Sequence, residues 1–189
     1  MNLEKSPFEE LLIIQDVLGP ISAEELRTVP KPKRCCGRIV PENMNHLSIG
    51  ELLYLRESAL GGAESLLSSI GEVILRGATL GALLKEKALF VQGLLNWFTE
   101  EIERINALFA SAGRQLTDQE IRAGFGNSSS GGFALIDWYA RRMGINSHEE
   151  AERTPWPRVY KCLEIDNENE EKNRRLAAIR EAENKTRRK

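Results

Sequence analysis

The segment Leu84–Phe109, LKEKALFVQGLLNWFTEEIERINALF, has the most regular apolar pattern in this chain. Its apolar residues follow one another at spacings of 4, 3, 4, 3, 4, 3 and 4, which places them on one stripe of an α-helix. The stripe comprises Leu84, Ala88, Val91, Leu95, Phe98, Ile102, Ile105 and Phe109. Charged residues such as Lys85, Glu100 and Arg104 fall on the opposite face. The pattern predicts a long amphipathic helix, Leu80–Phe109, at the centre of the fold. Its stripe faces either the chain's own core or a second copy in a homo-oligomer.

The composition indicates a globular protein. Of 189 residues, 41% are hydrophobic and 29% are charged, so the chain has enough apolar side chains to bury a core. Lys and Arg number 26 against 28 Asp and Glu, and the net charge of -2 argues against a protein that binds nucleic acid along its whole surface.

The cellular compartment is predicted from the N-terminus, the apolar runs and the cysteines. The first ten residues, MNLEKSPFEE, carry acids where a signal peptide needs a basic start and an apolar core. No apolar run approaches the roughly 18 residues of a membrane span. The odd number of cysteines, 3, suits a reducing environment. We therefore expect a cytoplasmic protein without contact to a membrane.

Helix start signals recur along the chain. Four pairs have the spacing of a capping box, in which a hydroxyl and a glutamate satisfy the first backbone N–H groups of a helix. They are Ser6/Glu9, Ser22/Glu25, Ser48/Glu51 and Thr117/Glu120. These signals predict an all-α fold, a multi-helix bundle around the long helix. Glycines at 71, 77, 81 and 93 predict breaks or close helix approach, with a turn near Gly77.

The changes in composition divide the chain into four segments. We expect a short N-terminal helical arm at 1–29, a proline-rich basic connector at 30–47, a helical core domain at 48–165 and a charged helical tail at 166–189. The connector contains PKPKRCCGRIVP, whose prolines exclude helix, and a short strand around 38–40 remains an open alternative there.

No catalytic or metal-binding motif is complete. The glycine-rich loop 124–132 lacks the lysine of a phosphate-binding loop, and His148 lacks the second histidine of a zinc-protease helix. Cys35 and Cys36 are not part of a Cys-x-x-Cys motif, and they are interpreted as small hydrophobic residues, with a redox role as the alternative. The sequence therefore predicts a protein that is not an enzyme and has no metal and no cofactor.

A family resemblance is carried by the segment Leu116–Ile165. It contains LTDQEIRAGFG and FALIDWYARRMGINSHEEAERTPWPRVYKCLEID. These blocks resemble the E-x-x-A-G, F-x-x-x-D-x-x-A-x-x-x-G and Pro-Trp-x-x-Val-Tyr succession of phage tail assembly chaperone-like proteins. The matching positions are Glu120, Ala123, Gly124, Phe133, Asp137, Ala140, Gly144, Pro155, Trp156, Val159 and Tyr160. Upstream, Val40-Pro41 leading into Leu47–Leu52 is also similar, whereas the spacing through 127–132 departs from the pattern.

The resemblance implies a non-enzymatic phage or prophage tail assembly factor in the cytoplasm of the bacterial host. Such a protein binds a protein partner, the tape measure or the tail tube protein, before these polymerise. Two alternatives stay open: a structural virion component, or an adaptor that contacts nucleic acid through the basic segments. Nucleic acid binding is not expected, because no aromatic residues interleave the basic runs.

The partner-binding surface is predicted in the C-terminal block. Trp and Tyr are favoured where one end of a side chain is buried and the other reaches water. The predicted surface comprises Phe133, Trp138, Tyr139, Trp156 and Tyr160. The competing interpretation is that these aromatics are core. Trp138 and Tyr139 are adjacent on a helix, so both cannot point into the same core.

Overall fold

The computed structural model describes residues 6–10, 26–113, 122 and 131–187. Helices hold 74% of these residues, and the strands found among them form one two-stranded hairpin. The all-α prediction is confirmed. The chain divides into two compact units, Met1–Ile105 and Asn106–Lys189, so the predicted core range 48–165 falls across both. Most of the predicted N-terminal arm, the Thr117/Glu120 capping box and most of the glycine-rich loop lie outside the described residues.

The first unit contains a β-hairpin followed by helices. Its elements are β1 (Arg34–Cys35), β2 (Arg38–Ile39), α1 (Ile49–Leu60), α2 (Ala63–Ser69), a π-helical turn (Ile70–Ile74), α3 (Leu80–Lys85) and α4 (Ala88–Ala112), which extends beyond this unit. The predicted capping box starts α1: the Ser48 hydroxyl accepts the Glu51 N–H at 3.1 Å, and the Glu51 carboxylate accepts the Ser48 N–H at 2.8 Å. The predicted turn is found at Gly77, whose φ is +94°.

The prediction of one continuous helix, Leu80–Phe109, is wrong at the N-terminal end of that range. Two helices replace it, because Glu86 adopts an extended backbone with ψ 161°. The Glu86 carbonyl accepts the Phe8 N–H at 2.9 Å, and the Ala88 N–H donates to the Ser6 carbonyl at 2.9 Å. A strand-like contact with the N-terminal residues thus satisfies backbone groups that would otherwise be unpaired at a helix end.

The core of the first unit lies under the apolar stripe of α4. Ala88, Val91, Phe98 and Ile105 are buried, so these positions of the stripe pack within the chain. Gly93 lets the connector approach closely, since a Cβ at this position would overlap the Pro30 carbonyl. The Asn96 amide fixes the same region by donating to the carbonyls of Leu26 and Val29, at 2.7 and 3.1 Å.

Among its described residues, the second unit contains the end of α4 and the helices α5 (Gly131–Met143), α6 (His148–Glu152) and α7 (Trp156–Arg187). Ser147 caps α6: its hydroxyl accepts the Glu150 N–H at 3.3 Å. The predicted charged tail is helical as far as Arg187, and nearly all of its residues beyond 167 are exposed.

Candidate partner-binding surface

The five predicted surface residues do not share one environment. Tyr139 and Trp156 are only 1% and 2% exposed, so the interpretation of these two as surface residues is corrected: their side chains are core. Phe133 is 56% exposed. Trp138 and Tyr160 are half-buried. The adjacent pair on α5 thus divides as the helical geometry requires, with Tyr139 inside and Trp138 at the boundary with solvent.

An aromatic cluster explains why Trp156 is core. The Phe109 ring lies 6.0 Å from the Trp156 ring and 5.6 Å from the Tyr160 ring, the second pair edge to face. Trp156 and Tyr160 are themselves 6.4 Å apart. Tyr160 keeps its hydroxyl near Glu164, at 3.3 Å. These contacts join the end of α4 to the start of α7, and they stabilise the second unit rather than offer a free surface.

The outward face of α5 begins at Phe133. The Phe133 ring lies 4.9 Å from the His148 ring, and Nε2 of His148 lies 3.2 Å from the Asp137 carboxylate. Asp137 also pairs with Arg141, one turn further along the helix. Together these groups hold α6 against α5 and orient Phe133 and Arg141 on the solvent side of the helix.

Trp138 lies beside an open recess of about 450 Å³ that is also lined by Arg141, Arg142 and Asp166. Arg142 donates two hydrogen bonds to Asp166, at 2.8 and 2.9 Å, so its guanidinium is already paired with a carboxylate of α7. Arg141 is 78% exposed. We call Phe133, Trp138 and Arg141 the α5 surface: it offers an apolar ring, an indole and a cation, residue types that are enriched at binding hot spots or available to an acidic partner.

The motif positions behind the family resemblance have structural roles here. Ala140 is buried, and Gly144 closes α5 with φ +67°, next to a bond from the Ile145 N–H to the Ala140 carbonyl at 2.9 Å. Val159 is fully buried on α7. The buried motif positions thus build the α5–α6–α7 arrangement, and Phe133, Gly144 and Pro155 are the exposed ones among its described members. Glu120, Ala123 and Gly124 lie outside the described residues.

One group of potential metal ligands was not recognised from the sequence. Among the described residues, Cys35, Cys36 and Glu86 bring one ligand atom each within 4.8 Å of one another. Glu86 lies 50 positions from Cys36, and no local spacing links them. In the sequence Glu86 is one of three charged residues in a helical pattern, so no local signal indicated a second role.

Within the part of the chain that the structure describes, no helix combines the length and the apolar character that a membrane span requires. No family model, curated protein or solved structure matches the chain.

Proposed function

We propose that the protein is a non-enzymatic phage tail assembly factor that binds a helical segment of the tape measure protein, or the tail tube protein, in the bacterial cytoplasm. The observation that carries the proposal is the α5 surface, where Phe133 stays 56% exposed on a helix whose other face is anchored in the core. The exposed phenylalanine and the half-buried tryptophan lie about 140° apart around α5, and each provides an apolar anchor for a helical partner segment.

The charge around these anchors favours a partner segment with acidic flanks. Arg141 pairs with Asp137 but keeps 78% of its side chain exposed next to Trp138, whereas Arg142 pairs with Asp166 and is only 28% exposed. An acidic residue one turn from an apolar anchor on the partner would reach Arg141 while the anchor contacts Trp138. Such an exposed pair contributes about 0.2–1 kcal/mol, so it selects the orientation of the partner more than it adds affinity.

Co-expression tests the proposal. The full chain is produced together with the tape measure protein, or with the tail tube protein, encoded in the same genome, and the mixture is resolved by size-exclusion chromatography. We expect a stable complex with one of the two and improved solubility of that partner. If both elute separately from the chain, the proposal is wrong.

Three further observations separate the assembly factor from the alternatives. A gene order with the tail tube gene upstream and a very long tape measure gene downstream supports the proposal. Detection of the chain in purified particles would instead support the structural virion component. Salt-sensitive retardation of DNA without any protein complex would support the adaptor that contacts nucleic acid.

A further inference from the structure

The hairpin that carries the two adjacent cysteines has an unusual turn. Arg34 pairs with Ile39 and Cys35 with Arg38, so Cys36 and Gly37 form a two-residue loop. Both have positive φ, +49° and +70°. This geometry suits a type I′ turn, whose first position normally holds Asn, Asp or Gly. A cysteine at that position is strained, and strained residues of this kind cluster at functional sites.

The carboxylate of Glu86 is held against this turn. Its Oε2 accepts the Cys36 N–H at 2.6 Å, and its Oε1 accepts the Lys87 N–H at 2.9 Å. Each oxygen keeps a further lone pair for another partner. The backbone of Glu86 is fixed as well, because its carbonyl accepts the Phe8 N–H. The carboxylate is therefore positioned before any ligand arrives, which is the property of a preorganised site.

The two thiols complete the cluster. Cys35 is 1% exposed and Cys36 is half-buried, so the group is shielded but reachable from the turn. Burial raises the pKa of both thiols. A raised pKa disfavours thiolate reactivity toward oxidants, which argues against a redox role. A bound metal ion, by contrast, displaces the proton of a coordinating thiol outright.

From this geometry we propose that Cys35, Cys36 and Glu86 bind one Zn²⁺ ion. Two sulfur ligands select a thiophilic metal, and the carboxylate oxygen favours the borderline Zn²⁺ over the softer Cu(I). The ion forms two Zn–S bonds and one Zn–O bond, and the two thiol protons pass to solvent. Three protein ligands leave a fourth tetrahedral position for water or for a donor from a partner.

The distances suit this assignment. In a tetrahedral zinc site with bonds of about 2.0–2.3 Å, the ligand atoms lie roughly 3.5–3.8 Å apart. The three atoms here lie within 4.8 Å of one another, so contraction of about 1 Å forms the site. Rotation of the Cys36 side chain provides such a movement while the Glu86 carboxylate stays in place. The flanking Arg34 and Arg38 offset the negative charge of the loaded site.

Cobalt and zinc titrations of the full-length, reduced protein test the site. Co²⁺ reports thiolate ligation through its charge-transfer absorption, and Zn²⁺ affinity follows from competition with a chromophoric chelator. We expect one metal ion per chain, thiolate absorption in the cobalt form and its loss when Zn²⁺ is added. Wild-type protein that shows no thiolate absorption at one equivalent of Co²⁺ would overturn the proposal.

Three variants test whether Zn²⁺ binds at Cys35, Cys36 and Glu86 rather than at any free cysteine of the chain. Cys36→Gly removes one ligand at a position where glycine fits the turn, so we expect at least a tenfold loss of Zn²⁺ affinity with an unfolding midpoint no lower than that of the wild type. Glu86→Gln should weaken Zn²⁺ at least tenfold while the two-thiolate absorption persists at high Co²⁺. Cys162→Ser, which removes the third cysteine, is the control and should leave both readouts unchanged. An equal loss in Cys162→Ser and Cys36→Gly would contradict the proposal.

Discussion

Two glycines in helices of the first unit should respond in opposite ways to substitution by alanine. Gly93 lies in α4 directly under the Pro30 carbonyl, whereas Gly81 lies in α3 with open space where a Cβ would be. Gly93→Ala should lower the free energy of unfolding by about 1–3 kcal/mol, because the connector must move away from α4. Gly81→Ala is the matched control and should raise stability by up to about 1 kcal/mol, since alanine favours helix. Urea denaturation of both variants measures the difference, and equal effects of the two substitutions would contradict the packing described.

The sequence predicts residue environments well where they follow helical periodicity. Val91 and Phe98 are buried as their stripe requires, and Trp138 and Tyr139 separate between surface and core because neighbours on a helix point about 100° apart. The environment of Glu86 could not be predicted in this way. Its contacts are with Phe8 and Cys36, both far away along the chain, and only the folded structure brings them together.

At the scale of elements, Glu101 ties α4 to the loop before α1. Its carboxylate accepts the Met44 N–H at 2.9 Å and two hydrogen bonds from Arg104, at 2.8 and 2.9 Å, and only 12% of its side chain is exposed. The Arg104 guanidinium, more than the opposing effect of burial, lowers the pKa of Glu101 below its usual value of 4.5. The charged form therefore stabilises the folded state.

This pKa shift predicts a pH-dependent loss of stability. A carboxylate with a lowered folded-state pKa contributes fully above about pH 4.5, and the contribution disappears as the pH falls through the folded-state pKa. Glu101→Gln should lower the free energy of unfolding by about 1–3 kcal/mol at pH 7, because the Met44 and Arg104 bonds weaken. The difference from the wild type should shrink steadily below pH 4.5. Urea denaturation across pH 3–7 measures it, and a difference that does not change with pH would contradict the role of the charge.

The exposed part of α7 is stabilised by its own charges. Glutamates at 168, 170, 171 and 181 pair with a Lys or Arg four residues later, at distances between 2.7 and 3.4 Å. Glu before Lys or Arg at this spacing is the favourable order, worth about 0.2–0.5 kcal/mol per pair.

Deletion of 173–189 should therefore reduce the helical circular dichroism signal yet shift the unfolding midpoint by no more than about 2 °C. Deletion of 160–189 is the contrasting variant, because it also removes Tyr160 from the Phe109 cluster and should destabilise strongly. Equal midpoints for the two deletions would contradict this division of α7.

For the whole molecule, the fold class, the start of α1 and the turn at Gly77 followed from local signals. The Ser48/Glu51 box acts within one turn of chain, and it is found where the sequence predicts it. The division into two units and the break before α4 depend on long-range contacts. Of the predicted surface residues, Phe133 is exposed whereas Tyr139 and Trp156 are buried, because aromatic content alone does not distinguish a docking face from a core anchor.

We propose that the α5 surface binds a protein partner, whereas the buried Tyr139 and Trp156 stabilise the fold. The most direct measurement is the affinity of the full chain for a helical tape measure segment, determined by calorimetry alongside the unfolding midpoint. We predict that Phe133→Ala weakens binding at least tenfold, or about 1.4 kcal/mol, with little change in the midpoint. Phe90→Ala, which truncates a phenylalanine of α4 that is 40% exposed, is the control and should leave the affinity unchanged whatever its effect on the midpoint. Wild-type affinity in Phe133→Ala, or a loss of binding that only follows a loss of stability, would contradict the claim.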